Sequence, residues 1–228
     1  MGIEGQEIDE KPVHTVYLDT FWIDQTEVTN AMYALCADES ICNRPSSNSS
    51  SKRSSYYGNS KFDEYPVIHV TWEDARTYCE WADRRLPTEA EWEKAARGLD
   101  QRTYPWKDDQ IDCSRANYFD GNENKYCFED KDTSPVKYYK SATSPYGVYD
   151  MAGNVWEWVA DWYGETYYKS LPLLSSNPIG PTFSQFKVAR GGSWYNGSYL
   201  SRTTNRGAFT SNSSPDNIGF RCVMSASK

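Results

Sequence analysis

Histidine is nearly missing from this chain: 228 residues contain two, His14 and His69. That leaves no HExxH helix and no three-histidine metal set. Both sit in strand-like stretches, where a lone histidine is ordinarily a hydrogen-bonded structural residue rather than a base. No Gly-x-Ser-x-Gly elbow and no phosphate-cradling glycine-rich loop occur. None of the 6 cysteines forms a CxxC pair, which with 2 histidines removes the usual structural zinc ligands. The 32 acidic residues allow many carboxylate pairs, but spacing singles out none for glycoside chemistry. No run of 18 apolar residues is present, so nothing here reads as a membrane-spanning helix, and the start MGIEGQEIDEKP lacks a signal-peptide core. Any export signal or neighbouring domain would lie outside this chain. Basic residues are scattered and the net charge is −8, which argues against nucleic acid or an anionic membrane as partner. An acidic chain does attract cations, calcium among them.

Aromatics are abundant: 15% of the chain, with 9 Trp and 18 Tyr against a modest apolar content of 38%. Each buried aromatic removes about 150–250 Å² from water. Their polar tips suit an irregular, loop-rich fold whose backbone groups need partners. The length fits one domain over 1–228, with no dividing linker and no internal repeat. The Ser-rich stretch RPSSNSSSKRSS, 44–55, sits between helical patterns and reads as an insertion loop.

Local patterns predict an α+β fold. PVHTVYLDTFWI, 12–23, alternates as a strand. A helix follows with Thr29 as N-cap and Met32, Leu35 and Cys36 on one face. Thr71 with Asp74, and Thr88 with Glu91, form capping boxes before two further helices. Ala75, Tyr78, Cys79 and Ala82 line one face of the first; Trp92, Ala95 and Ala96 line the second, which Gly98 stops. RTYPWKDD, 102–109, is turn-like. Gly153-Asn154 turns into a Val-Trp-Glu-Trp-Val strand, and FKVARGGSW and IGFRCVM read as the last strands.

Three features invite chemistry. The cysteines include two local pairs, Cys36 with Cys42 and Cys113 with Cys127, compatible with three disulfides and an oxidising compartment; six buried thiols are the alternative. Cys79 lies on a buried helix face, where a bond to a distant strand is natural. Asp150 and Glu157 flank the Gly-Asn turn, an arrangement that suits a hard cation; a solvated Glu and a turn-ending Asp are the plainer reading. Finally, 195–217 contains no Lys, Glu, Gln, Met or Trp and is dominated by Tyr, Ser, Gly and Asn. Antibody binding loops share that composition, as does an ordinary solvent-facing loop.

Taken in order, PVHTVYLDTFWIDQTEVTNAMY, PVIHVTWEDARTYCEWADRRLPTEAEWEKAARG, YPW, SPYGVYDMAGNVWEWVADWY and RGGSW…NIGFRC resemble the formylglycine-generating enzyme / sulfatase-modifying factor family over nearly the whole chain. The resemblance implies a variant of the C-type lectin fold, poor in regular secondary structure. It implies a structural disulfide between Cys79 and Cys222. It implies a calcium site from the side chains of Asp150 and Glu157 and the carbonyls of Gly153 and Val155. A second calcium site would use Asn117, the Tyr118 carbonyl and a carboxylate from CFEDKDTSP, with Asp130 and Asp132 both candidates because the spacing departs from the enzyme's. The family's enzymes oxidise a sulfatase cysteine with copper held by two cysteines. The matching positions here are Asn196 and Ser201, which cannot bind Cu(I) as thiolates do, so no copper is expected. Related iron-dependent sulfoxide synthases need a histidine cluster that two histidines do not supply. ALCADESIC and DCSR…KYC resemble a bacterial subgroup whose domains stand alone at the cell surface or follow a kinase domain.

The sequence therefore points first to a non-catalytic, calcium-stabilised module that binds a protein or small ligand outside the cytoplasm. Its contact surface would be drawn from Trp194, Tyr195, Asn196, Ser198, Tyr199, Ser201, Thr203, Asn205, Phe209 and Asn212, with Trp194 and Arg221 as anchors. A sharper variant is the variable protein of a diversity-generating retroelement: adenine mutation of pyrimidine-ending Asn codons cannot produce Lys, Glu, Gln, Met or Trp. The alternative is an enzyme using Ser193, Tyr195 or Ser201.

Overall fold

The stretch 12–23 is not one strand. In the computed structural model, which describes residues 1–4, 6–107 and 110–226, it divides into β1 (Thr15–Tyr17) and β2 (Phe21–Ile23). The alternation is real, but the two halves pair with different partners, so the chain bends at 18–20. Three helices follow: α1 (Asn30–Asp38), α2 (Trp72–Trp81) and α3 (Glu89–Arg97). Then come β3 (Phe119–Asp120), β4 (Lys125–Tyr126), β5 (Trp156–Trp162), the single turn α4 (Tyr167–Ser170), β6 (Leu174–Ser176), β7 (Phe186–Arg190), β8 (Gly207–Thr210), β9 (Ile218–Phe220) and β10 (Val223–Ser225). The fold is α+β with little regular structure. Of the turn-like stretch 102–109, residues 103–107 form bends, and Asp108 and Asp109 lie outside the described residues.

The helix starts are where local chemistry put them. Thr29 accepts from the Met32 amide, and both capping boxes close reciprocally. The α1 face is different from the expected one: Tyr33, Cys36 and Ala37 are buried, while Met32 and Leu35 are exposed. Tyr33 stacks on Tyr78 of α2, and that contact fixes the rotation of α1. Ala82, expected on the buried face of α2, is its C-cap and only half-buried.

The centre is a four-stranded sheet of order β8-β7-β5-β9. β5 runs antiparallel to β7 and parallel to β9, with a register shift between Trp158 and Trp162. As an inner strand it is buried on both faces. Trp156 and Trp158 pack with α1, α2 and Phe220, whereas Val159 packs with Trp92, Ala95 and Ala96 of α3. Smaller two-stranded sheets join β1 to β6, β2 to β10 and β3 to β4.

All six cysteines are paired, as Cys36–Cys42, Cys79–Cys222 and Cys113–Cys127. The alternative of six buried thiols is thereby set aside, and not every cysteine belongs to the core. Cys36, Cys42, Cys79 and Cys222 are buried in it. Cys113 and Cys127 are only half-buried, at the edge of a separate aromatic cluster around Tyr104, Trp106 and Tyr118. Among the described residues no helix is long and apolar enough to cross a membrane.

Candidate functional site

The loop that enters β5 carries Asp150, Gly153, Val155 and Glu157. Asp150 and Asn154 have left-handed φ of 59° and 63°. Gly153 is required twice over, by φ +81° and because a Cβ there would lie 2.2 Å from the Asn117 carbonyl oxygen. Asn154 ties the loop together: its Oδ1 accepts from the Ser134 amide at 2.9 Å, and its Nδ2 donates to Glu27 Oε1 at 2.9 Å.

Glu157 is held by two buried side chains. Arg221 donates to both its oxygens at 2.7 Å, and Trp92 Nε1 adds a third bond at 2.8 Å. Beside this pair lie two further buried carboxylates, Asp150 and Glu27. Asp150 Oδ2 accepts from the Lys137 amide at 2.8 Å. Glu27 Oε2 is buried without a partner. Burial, and after it the charge of Asp150, push the Glu27 carboxyl well above the usual carboxylate range; burial likewise raises Asp150. Three buried carboxylates thus face one guanidinium, an excess of negative charge with an orphaned oxygen. That surplus fits a hard cation at Asp150. Among the described residues no three His, Cys, Asp or Glu side chains form a ready metal cage, so backbone carbonyls and water would complete the shell.

In the second set Asn117 Oδ1 is buried without a partner, whereas the nearby carboxylates are engaged by protein groups. Asn117 and Asp132 meet, but through the Asp132 backbone carbonyl, which accepts from Asn117 Nδ2 at 2.9 Å. The Tyr118 carbonyl accepts from the Cys127 amide at 3.0 Å, inside the loop that the Cys113–Cys127 bond closes. The Asp132 carboxylate accepts from Ser50 Oγ and the Lys52 and Thr133 amides, and Arg53 lies 3.8 Å away. A fixed guanidinium there repels a divalent ion. Asp130 also pairs with Arg53. The role of Asp132 is to pin the Ser-rich loop, whose Arg53 packs over Phe62 and Tyr65.

The stretch 195–217 is not one continuous surface. Tyr195, Tyr199 and Asn212 are exposed or partly so, and Asn196, Ser198 and Phe209 are half-buried, with Phe209 against Trp156 and Trp158. Trp194, Ser201, Thr203 and Asn205 are buried, so four of the ten expected contact residues belong to the scaffold. Residues 202–206 are held by buried ion pairs that no local pattern announces. Arg202 and Thr204 bond Glu10, Arg206 bonds both oxygens of Glu89, and Arg190 joins Glu89, Glu93 and the Thr203 and Thr204 carbonyls.

Asn196 lies on this platform. Its Oδ1 accepts from Trp156 Nε1 at 2.8 Å and Ser193 Oγ at 2.6 Å. Ser193 and Ser201 are fully buried, and the Ser201 hydroxyl has no partner. Both histidines have structural partners, His14 with the Pro12 carbonyl and His69 with the Ser214 carbonyl. Three clefts, of 230, 910 and 410 Å³, all border Leu18, and none is lined by 195–217.

The family described as "Sulfatase-modifying factor enzyme 1-like domain" matches residues 1–226. The "Formylglycine-generating enzyme" of Streptomyces coelicolor is 36% identical, over 98% of this chain and 84% of its own length. The "Serine/threonine-protein kinase pkn1" of Chlamydia caviae is 35% identical over 96% of this chain, which spans only 35% of that kinase. The solved structure of "Treponema denticola variable protein 1" superposes with a TM-score of 0.76 at 22% identity, covering 99% of this chain and 91% of its own.

Proposed function

The chain belongs to the sulfatase-modifying factor enzyme 1-like family, and from that premise we propose that it is a non-catalytic binding module on the formylglycine-generating-enzyme variant of the C-type lectin fold. One observation carries the reading. The positions that match the enzyme's copper-binding thiols are Asn196 and Ser201, and every cysteine of the chain is in a disulfide. Asn196 is bound by Trp156 and Ser193, and Ser201 is enclosed, so neither offers a soft ligand or a nucleophile with a base beside it.

The contact surface in this proposal is Tyr195, Asn196, Ser198 and Tyr199, with Asn212 beyond. The two tyrosines are 59% and 61% exposed and stand on a platform fixed by buried ion pairs. Rigid aromatic area with small polar neighbours suits protein or small-ligand recognition. The module carries a structural calcium ion at the Asp150 loop. Three disulfides support folding in an oxidising compartment, hence an extracytoplasmic or cell-surface position. The kinase relative supports a second arrangement, in which such a module serves a signalling chain.

A copper-loaded preparation incubated with a cysteine peptide of sulfatase type is expected to leave the thiol intact by mass spectrometry; conversion to the aldehyde overturns the reading. On peptide and glycan arrays, Y195A/Y199A is expected to lose the wild-type signal while melting at the same temperature. A more specific reading, the variable protein of a diversity-generating retroelement, is favoured by the five residue types absent from 195–217. It requires a near-copy of the codons for 190–222 beside a reverse transcriptase gene, and a locus without one removes it.

A further inference from the structure

We propose that the cleft between the N-terminal segment and the C-terminal end of α3 is a second binding site, taking a small hydroxycarboxylate with its carboxylate on Arg97 and its hydroxyl on His14. Residues 195–217 do not line this cleft, so the inference stands apart from the contact surface proposed above.

Arg97 ends α3 and lines the cleft, yet it is only 4% exposed. Its Nη1 donates to the Gly2 carbonyl at 2.8 Å and to Glu93 Oε1 at 2.9 Å. Its Nε and Nη2 are buried without a protein partner. Those two nitrogens form one edge of the guanidinium, the fork that grips a carboxylate through two parallel hydrogen bonds. Leaving the donors of a buried cation unmet is costly. Glu93 is the one acidic residue of the lining, and its charge is shared. Its Oε1 also accepts from the Gly2 amide at 2.9 Å, and its Oε2 accepts from Arg190 at 2.8 Å. Lys94 adds a second positive charge to the lining, so the cleft favours an anion.

His14 supplies the complementary group. It lines the same cleft, is buried, and sets its ring edge-on to Tyr168 with centroids 4.8 Å apart. Nδ1 lies 2.9 Å from the Pro12 carbonyl oxygen, which can only accept, so Nδ1 carries the proton. Burial, the largest influence, holds the imidazole below its ordinary value, and the ring is neutral at pH 7. Nε2 is then a lone pair, buried without a protein partner, and it calls for an O–H donor. A simple carboxylate has no hydroxyl to give, and a neutral alcohol does not match the Arg97 fork. A hydroxycarboxylate meets both. One short segment holds the two residues near each other: Arg97 binds the Gly2 carbonyl, and the His14 amide donates to the Met1 carbonyl at 3.1 Å. The volume of 230 Å³ falls below the roughly 300–1,000 Å³ of drug-sized sites, so the ligand is small.

The test is an NMR titration of the protein with lactate and with propionate, which lacks the hydroxyl, at constant ionic strength. The chain has only 2 histidines, and H14F identifies the His14 ring signals. Lactate is expected to shift the His14 ring and Arg97 Nε–H signals saturably, with propionate about tenfold weaker or more. R97K keeps the charge but lacks the fork, and is expected to lose about tenfold or more in lactate affinity. H14F keeps a ring against Tyr168 and is expected to erase the preference for lactate over propionate. Should either variant fail to fold, the wild-type preference and the other variant decide. The proposal is overturned if lactate gives no saturable shift in wild type, or if propionate binds equally well. Wild-type lactate affinity in folded R97K, or an undiminished lactate preference in folded H14F, overturns it too. Inorganic phosphate binding where lactate does not would overturn the assignment to a hydroxycarboxylate.

Discussion

Arg206 concentrates the energetics of this molecule in one side chain. It donates twice to Glu89 and twice more to the Asp9 and Gly164 carbonyls, and lies over the rings of Tyr163 and Tyr168. Removing one partner of a buried pair leaves the other charge uncompensated, a loss of about 3–5 kcal/mol. R206M is therefore expected to lose roughly that much in urea unfolding. Asp161, whose Oδ2 accepts from the Glu89 amide, makes the molecule pH-sensitive. Burial, then the Glu89 charge, push its carboxyl up to about 8. A carboxyl raised in the folded state holds a proton that the unfolded chain releases, so its contribution is present below about pH 4 and is lost as pH rises toward 8. Stability measured by denaturant midpoint should fall across that window. D161N, which keeps the acceptor and cannot ionise, should flatten the fall; an unchanged slope would refute the assignment.

At the scale of elements, the helices depend on their first turns. Thr88 Oγ1 accepts from the Glu91 amide, and Glu91 returns a bond to the Thr88 amide while also holding Arg85. T88A is expected to cost about 1 kcal/mol, or about 2–4 °C in melting temperature for a chain of this size. The segment 195–217 behaves as two elements. Tyr195 and Tyr199 project from the platform, and 202–206 are part of it. Substitutions at Tyr195 or Tyr199 should leave the fold intact, whereas Thr204, bonded to Glu10, should tolerate none that removes its hydroxyl without loss of stability.

For the whole molecule, the disulfides are unequal. Cys79–Cys222 closes a separation of 143 residues and joins α2 to the chain after β9, whereas Cys36–Cys42 spans only 6 and Cys113–Cys127 spans 14. On a chain-entropy view the longest contributes about 5 kcal/mol, the shortest about 2 kcal/mol and the third about 3 kcal/mol. C79A/C222A should therefore shift the guanidinium midpoint more than C36A/C42A; equal shifts would mean that the long bridge acts chiefly through local packing.

Much of this protein was legible in its amino-acid order. The two capping boxes, the Gly98 stop, the strand after Gly153-Asn154, the local pairs Cys36–Cys42 and Cys113–Cys127 and the family motifs depend on neighbours close in sequence, as does the fact that neither Asn196 nor Ser201 is a thiol. Tertiary structure alone decided the rest. It split 12–23 between two sheets, because each half found a different partner strand. It buried Ser201, Thr203 and Asn205, because Arg190, Arg202 and Arg206 reach glutamates 97 to 192 positions away. It gave Glu157 to Arg221 and left Glu27 with an open oxygen. Helix starts and turns are settled by short-range hydrogen bonds that composition announces. The pairing of buried charges is settled by which side chains the fold brings within a few ångströms, and no local pattern encodes that distance.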